Sequence, residues 1–409
     1  MKVNRLLWTL GVGTALLLAA CGGQTGGGGS VTVSFVDAQG NPYSPTKVAS
    51  QAGNGAWQAV ASPGSSVTIN LPAGEGRYGV AFTCGNGIRV VQLTKGEAAS
   101  PTLTCEEANV PTPVTVSIGY DASALSGVSV VLYSVSTTGL ASGNLQSNPS
   151  NVSVPPGKGD LLLTAIGTGQ PIAMKALYDQ NFTSGATFNV TFSASDQMSG
   201  TGTINSYTVP AGGGEGGAQA AVFHVTPKGA LGVLGFSSTG GASFSFPLPP
   251  SGLQGQRVFF GSFLGLSNNL TVFQAFSGTS YTPQLPPLFS PTADTSGALP
   301  KFSGLSVSGS SFLGYGFHAN WSGGALDATV SAGWIGNTTS YTMPDLSGAG
   351  FANAKPAQGT QVTYSADAVY GNKPLNTFLG LGANFGKLLA VSGIDARVAS
   401  TKPNTYTAP

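Results

Sequence analysis

Apolar and polar residues alternate along much of this chain with the period of two that predicts β-strands. Val31, Val33 and Phe35 alternate with polar neighbours, and the same alternation returns at 67–71 and 114–118. Each run ends in a segment rich in Gly, Pro, Asn or Asp, the residue types that form turns. The 61 Gly and 26 Pro make long helices unfavourable. The pattern therefore predicts an all-β fold.

The patterning contains an internal repeat. Four pairs of identical residues in two separate motifs share one offset of 83 positions: Val31 and Val114, Pro72 and Pro155, Gly74 and Gly157, and Gly76 and Gly159. We expect Pro to end the strand pairing in each P-x-G-x-G turn and the glycines to supply positive φ. The offset predicts tandem β-sandwich modules at 31–110 and 111–198.

The turn residues carry a family resemblance. Asp37, Gly40 and Pro42 form a D-x-x-G-x-P turn after the first strand, and the P-x-G-x-G turn follows later. This combination resembles the carboxypeptidase regulatory-like family. The resemblance implies a transthyretin-like, seven-stranded sandwich that acts as a structural or binding module and has no active site. The second module departs from the pattern, because 121–123 (Asp-Ala-Ser) stands where the first turn would be.

The remaining chain predicts a larger C-terminal β region. A Gly-rich linker is expected at 199–218, followed by a β domain at 219–298 and a C-terminal β domain at 299–409, which the third domain could join as one larger unit. The most plausible helical stretch is short, at 377–389, and its glycines weaken it.

The N-terminal residues indicate where the chain resides. Lys2 and Arg5 precede an apolar run at 6–20 that is short for a membrane span. The run closes on Leu-Ala-Ala-Cys at 18–21, which resembles the lipobox of bacterial lipoproteins. The resemblance implies a signal peptide at 1–20, a diacylglyceryl group on Cys21 and acylation of the new amine. The alternatives are a plain signal peptide and an N-terminal anchor helix.

The residues after Cys21 extend this interpretation. Residues 21–30 predict a lipidated cysteine followed by a flexible Gly-rich tether. In a cell that has an outer membrane, Gly22 in place of Asp favours that membrane, by resemblance to lipoprotein sorting. The sequence thus predicts an extracytoplasmic protein that contacts the membrane through lipid on Cys21.

The charge balance argues against nucleic acid as a partner. Removal of 1–20 takes away two of the 16 basic residues and none of the 15 acidic ones, which leaves a formal charge of −1. Nucleic-acid binding usually needs a basic face. Only 8% of residues are charged, so Gly and hydroxyl and amide side chains must cover the surface. Such a surface suits contact with envelope polysaccharide or envelope proteins.

Two cysteines remain once Cys21 is assigned to lipid. Cys84 and Cys105 predict a structural disulfide in an oxidising compartment, worth roughly 3 kcal/mol. A redox motif would need closer spacing, and a metal site would need additional His or Cys ligands.

Residues for catalysis are few, and the sequence predicts no enzyme, metal or cofactor. His224 and His318 are expected to be solvent-facing strand residues, and Glu106 and Glu107 to be solvated linker charges. The chain contains no G-x-S-x-G nucleophile elbow and no H-E-x-x-H zinc motif. An active site assembled from distant acids stays open, because spatial clustering is not visible in a sequence.

Four C-terminal aromatic residues offer a candidate glycan-binding surface: Tyr315, Trp321, Trp334 and Tyr341. Aromatic faces pack on sugar rings while nearby amides and hydroxyls form hydrogen bonds. The competing interpretation is that the tryptophans fill a sandwich core. The leading functional hypothesis is a non-enzymatic, lipid-anchored envelope protein with a structural or adhesive role. The alternative is a carbohydrate-binding lipoprotein that uses these aromatics.

Overall fold

Strands dominate the chain, and the predicted all-β fold class is confirmed. The structure is a computed structural model, which describes residues 29–306, 309, 311–381 and 385–409. The predicted signal peptide, Cys21 and most of the tether lie outside these residues.

The first seven strands form a two-layer sandwich. They are β1 (Ser30–Asp37), β2 (Val48–Ala52), β3 (Gln58–Ala59), β4 (Ser66–Asn70), β5 (Arg77–Cys84), β6 (Gly87–Thr94) and β7 (Thr102–Cys105). One layer has the order β4-β1-β7, and the other contains β3-β2-β5-β6. Val31, Val33 and Phe35 are at most 1% exposed, because every second residue of β1 faces the other layer.

The next seven strands repeat this arrangement. They are β8 (Val114–Asp121), β9 (Val130–Ser136), β10 (Leu140–Asn144), β11 (Ser150–Val154), β12 (Gly157–Gly167), β13 (Gln170–Phe182) and β14 (Thr187–Thr191). Their layers have the orders β11-β8-β14 and β10-β9-β12-β13, which match the first sandwich strand for strand. In both sandwiches the first and last strands pair in parallel.

The glycines of the two P-x-G-x-G turns have different tasks. Gly74 and Gly157 have φ of +79° and +110°, as expected. Gly76 and Gly159 do not have positive φ. At Gly159 the need is space instead, since a Cβ there would lie 2.0 Å from the carbonyl oxygen of Ser136.

The rest of the chain supplies fifteen strands, three short helices and two 3₁₀ turns in the described residues. The strands are β15 (Thr201–Ile204), β16 (Gly217–Val225), β17 (Leu231–Ser237), β18 (Phe244–Pro247), β19 (Gln256–Leu264), β20 (Asn268–Phe276), β21 (Ser280–Tyr281), β22 (Thr292–Asp294), β23 (Lys301–Ser303), β24 (Phe312–Trp321), β25 (Gly324–Ser331), β26 (Ser340–Thr342), β27 (Gln361–Gly371), β28 (Asp395–Thr401) and β29 (Asn404–Thr407). The helices are α1 (Ala332–Ile335), α2 (Leu375–Leu379) and α3 (Phe385–Ala390), and the 3₁₀ turns are Ala194–Asp196 and Ser347–Ala349.

One hydrogen-bonded sheet joins the first sandwich to the C-terminal region. Its order is β17-β16-β19-β20-β28-β27-β24-β25-β6-β5-β2-β3, and β29 adds to β27. The connection is the parallel pairing of β6 with β25, from Gly87 opposite Ala325 to Gln92 opposite Val330. We call this pairing the β6–β25 junction.

Two expected boundaries differ from the structure. Part of the predicted linker at 199–218 is strand, since β15 pairs with β18 and β21. Its Gly run folds around Glu215, whose carboxylate accepts hydrogen bonds from the backbone N–H groups of Gly212 and Gly214. The regions 219–298 and 299–409 share one sheet through the pairing of β20 with β28. Composition identifies turn-forming residues but does not show which distant strands pair.

The second sandwich packs against the β16–β17 hairpin. Leu162 and Met174 belong to the large core of the C-terminal region and not to the core of their own sandwich. They reach Gly232, where an added Cβ would lie 2.5 Å from the Met174 methyl group. Ser134 accepts a hydrogen bond of 2.8 Å from the backbone of Leu231. The two sandwiches therefore contact the C-terminal sheet at different places.

Candidate functional site

The predicted disulfide is confirmed. Cys84 ends β5 and Cys105 ends β7, so the bond connects the two layers of the first sandwich. The Cα atoms are 5.4 Å apart, and both residues are at most 1% exposed. This burial suits a structural bond.

Two of the four candidate glycan-binding aromatics lie in the core. Tyr315 and Tyr341 are 1% and 5% exposed. Tyr341 stacks on Phe317 with ring centroids 4.5 Å apart, and its hydroxyl donates a 2.8 Å hydrogen bond to Gln92. Their strands turn these rings toward the protein interior, so neither ring face is available to a sugar.

The two tryptophans are half-buried and lie at opposite ends of β24. Trp321 is opposite Gly324 at the tip of the β24–β25 hairpin. Trp334 lies in the short helix α1, which begins directly after Ser331. Ser331 pairs with Gly314 near the other end of β24. Both pack against the large core. The structure thus does not bring the four aromatics together on one surface.

His318 faces outward on β24 between the buried Phe317 and Ala319, as expected, and its side chain is 34% exposed. It is held between two carboxylates on neighbouring strands: Nδ1 is 2.7 Å from Asp327 on β25, and Nε2 is 2.9 Å from Asp367 on β27. Burial lowers the pKa of His318, but the hydrogen bonds with both carboxylates outweigh this effect and raise the pKa to about 10. The imidazole is therefore protonated at neutral pH, and both nitrogens donate.

This arrangement makes His318 a clamp across three strands and not a general base. A base needs a free nitrogen within reach of the proton that it removes. Both nitrogens of His318 already point at carboxylates. The positive ring lies between two acids on the strands that flank β24 and neutralises both of them.

Charged side chains extend from His318 and Asp327 to the β6–β25 junction. Arg89 lies opposite Asp327 in the parallel pairing and forms a 2.8 Å ion pair with Glu106. The Glu106 side chain is 21% exposed, which corrects its expected place as a solvated linker charge, whereas Glu107 is exposed. Charges from both sides thus meet where the first sandwich joins the C-terminal region.

A second set of polar contacts crosses the same junction. Glu97 accepts hydrogen bonds from the hydroxyl of Ser331 at 2.5 Å and from the backbone of Gly333 at 2.8 Å. Ser331 in turn caps α1 by accepting from the backbone N–H of Trp334. Gln92, which receives the Tyr341 hydroxyl, donates to Gln51 at 2.8 Å. Buried polar groups on both sides of the junction therefore satisfy one another.

One feature of the sequence could have predicted part of this cluster. His318 and Asp327 are symmetric about Ser322-Gly323, the two-residue turn of the β24–β25 hairpin, and a hairpin register places them opposite each other. Asp367 and Arg89 come from distant strands, and no local pattern identifies them.

Unlike His318, His224 differs from its expectation of facing solvent. It is 2% exposed, and its Nε2 atom lies 3.1 Å from the carbonyl oxygen of Gln254. Burial lowers the pKa of His224 to about 4, so the ring is neutral at neutral pH. Because a carbonyl only accepts, Nε2 carries the proton. His224 helps to line a cavity of about 640 Å³ that also includes Arg257 and Phe276.

Within 29–306, 309, 311–381 and 385–409, no group of three or more His, Cys, Asp or Glu residues is arranged to hold a metal ion. In the same residues, no helix is long and apolar enough to cross a membrane.

Comparison with known proteins gives distant structural similarities alone. No family model matches the chain, and no curated protein matches its sequence. Among solved structures, a putative adhesin from Bacteroides ovatus is similar over 44% of this chain and 91% of its own, with 8% identity and a TM-score of 0.20. A shaft pilin from Lactobacillus rhamnosus GG covers 41% of this chain and 97% of its own, with 9% identity and a TM-score of 0.14.

A third similar structure is a tetra-tandem repeat from the extending region of a large adhesion protein. It covers 84% of this chain and 95% of its own, with 12% identity and a TM-score of 0.15. Identities and TM-scores this low carry no inference about function.

Proposed function

We propose that this chain is a lipid-anchored protein of the bacterial envelope with a non-enzymatic structural or adhesive role. The lipobox-like residues at 18–21 support the anchor. The β6–β25 junction supports the structural role, because one hydrogen-bonded sheet runs from the first sandwich into the C-terminal region. A chain tethered near residue 30 would carry the C-terminal region outward without a flexible joint at this connection.

The polar contacts at the junction strengthen this proposal. The clamp at His318, the Arg89–Glu106 ion pair and the Glu97 contacts all use charged side chains to hold strands together. The proposed partners are the membrane, through Cys21, and envelope polysaccharide or envelope proteins at the low-charge surface.

The anchor is tested with Cys21→Ala in a bacterial host, followed by palmitate labelling and membrane fractionation. We expect a larger precursor that takes up no label, because both lipid attachment and cleavage require the thiol at this position. Cys84→Ser is the matched control, since it removes a different cysteine and should leave labelling unchanged. Equal labelling and unchanged size of the Cys21→Ala protein would refute the anchor.

The same membranes distinguish the two roles. Vesicles that carry the wild-type protein should pellet purified cell-wall polysaccharide in a saturable way if the role is adhesive. Vesicles from the Cys21→Ala strain supply the background. Membrane retention without pelleting would leave the structural role alone.

A further inference from the structure

A cavity of about 640 Å³ lies at one end of the β19–β20 hairpin, far along the sheet from the β6–β25 junction. Arg257 on β19 and Phe276 on β20 line it, together with residues of the loops 248–255 and 277–279. Its size lies within the range of about 300–1,000 Å³ usual for small-molecule sites. The cavity is separate from the aromatic residues considered above.

The charge in this cavity is uncompensated. The guanidinium carbon of Arg257 lies 5.2 Å from the centroid of the Phe276 ring, a cation–π contact that fixes its orientation. Among the described residues, none of the ion pairs includes Arg257. His224, its direct neighbour across the pairing of β16 with β19, is neutral and supplies no negative charge. An anion is the missing partner of this half-buried cation.

The walls are held in place by hydrogen bonds. His224 donates through Nε2 to the carbonyl of Gln254, whose backbone N–H donates to the Tyr178 hydroxyl at 2.8 Å. The loop is thus fixed to both the C-terminal sheet and the second sandwich. The Nδ1 atom of His224 is buried and has no hydrogen-bond partner among the described residues. The hydrogen bonds of Gln254 therefore preorganise this side of the cavity.

The remaining lining combines hydroxyls with aliphatic surface. Ser251, Ser277 and Thr279 bring hydroxyl groups, and Leu248 and Pro249 bring apolar surface. This mixture suits a ligand that carries many hydroxyls on a compact ring.

The Phe276 ring in the cavity already packs against other side chains of the protein. One contact of Phe276 is with Arg257, and another is with Tyr281, whose ring is stacked at 4.7 Å. A ligand ring would therefore rest on the aliphatic wall and not on Phe276.

We propose that this cavity binds an acidic sugar, with the carboxylate of a uronic acid paired to Arg257 and the ring hydroxyls bonded to the surrounding polar groups. The planar guanidinium matches a carboxylate with two parallel hydrogen bonds. The site does not depend on the lipid anchor, so the two proposals fail independently.

The test is calorimetric titration of the full chain with digalacturonic acid, a neutral galactose disaccharide and inorganic phosphate. We expect saturable binding of the acidic disaccharide and at least tenfold weaker binding of the neutral one. Absence of acidic-disaccharide binding, or equal binding of the neutral sugar, would overturn the proposal. If phosphate binds as tightly as the acidic disaccharide and displaces it, the cavity is a general oxyanion site. That result would overturn the sugar assignment.

Variants locate the binding. Arg257→Gln should weaken acidic-disaccharide binding at least tenfold, and Arg257→Lys should weaken it less because it keeps the charge but loses the paired geometry. Arg77→Gln, at an ion pair in the first sandwich, should leave binding unchanged. Should Arg257→Gln fail to fold, the Lys variant decides. Unaltered binding in the folded variant would refute the role of Arg257, and persistence of binding in Cys21→Ala would separate this site from the anchor.

Discussion

At the scale of single residues, the two histidines show how environment sets charge. His224 and His318 both lie on strands, and each directly follows a phenylalanine in the sequence. Burial without a carboxylate keeps His224 neutral, whereas Asp327 and Asp367 keep His318 protonated. The same residue type therefore serves as a neutral wall in one place and as a positive clamp in the other.

The clamp predicts a specific dependence of stability on pH. The pKa of His318 is about 10 in the folded protein and about 6.5 in an unfolded chain. Because folding raises this pKa, the stabilisation is fully present below about pH 6.5 and is lost as the pH rises toward 10. The difference in unfolding free energy between wild type and His318→Gln should therefore shrink between pH 6 and pH 10.

The expected size of this change is on the order of 1–2 kcal/mol, reduced by solvent screening because the His318 side chain is 34% exposed. Urea unfolding of both proteins at several pH values and one ionic strength measures it. A difference that stays constant with pH would show that Asp327 and Asp367 do not stabilise the protonated form of the ring. Asp327→Asn gives an independent check, since it should lower the His318 pKa observed by NMR.

At the scale of elements, alternation predicted individual strands well. The run that begins at Val31 is β1, and the repeated offset of 83 residues corresponds to two sandwiches with one strand order. Alternation fails where pairing partners are distant. β6 and β13 occupy equivalent places in the two sandwiches, yet only β6 is continued by another strand.

Side chains explain part of this difference after the fact. β13 carries Lys175 and Asp179, charged residues of the kind that discourages further pairing at a sheet edge. On β6, Gln92 is satisfied by Tyr341 and Arg89 by Glu106. The sequence could not separate a glycan-binding aromatic surface from a sandwich core for a similar reason. Composition cannot tell which face of β24 or β26 meets a second layer.

A close backbone approach between elements provides a second test. Gly229, in the turn between β16 and β17, has φ of +92°, and an added Cβ would lie 2.3 Å from the carbonyl group of Gly386 in α3. Gly229→Ala should therefore lower the unfolding free energy by about 2 kcal/mol or more, from backbone strain and the clash together.

The matched control is Gly252→Ala, where no atom lies within 4 Å of the added Cβ and φ is not positive. Chemical denaturation followed by intrinsic fluorescence compares the two variants with wild type. Equal stability of all three proteins would show that α3 does not pack on this turn as described.

At the scale of the whole molecule, the continuous sheet should couple regions that are far apart in the sequence. The Cys84–Cys105 bond lies in the first sandwich, whereas Trp321 and Trp334 lie in the C-terminal region. In a Trp57→Phe background, these two are the tryptophans left in the described chain. Reduction of the disulfide removes roughly 3 kcal/mol from the first sandwich.

Because β6 and β25 belong to one sheet, this loss should also lower the denaturant midpoint reported by tryptophan fluorescence. The comparison is between oxidised and reduced protein, with the Cys84→Ser variant as a control for the reductant itself. Reduction could instead leave the midpoint from tryptophan fluorescence unchanged while circular dichroism shows the first sandwich unfolding earlier. That result would mean that the junction does not couple the two regions.

The same junction imposes an order on biosynthesis. Synthesis proceeds from the N-terminus, so β6 is made long before β25, its parallel partner some 230 residues later. The edge of β6 stays unpaired until that partner has emerged, whether on the ribosome or on the far side of the membrane. Throughout this interval, Val90, Val91 and their neighbours border an unpaired strand edge, which is a template for wrong partners. A cell that makes this protein must keep the nascent first sandwich apart from other chains until its C-terminal half has arrived.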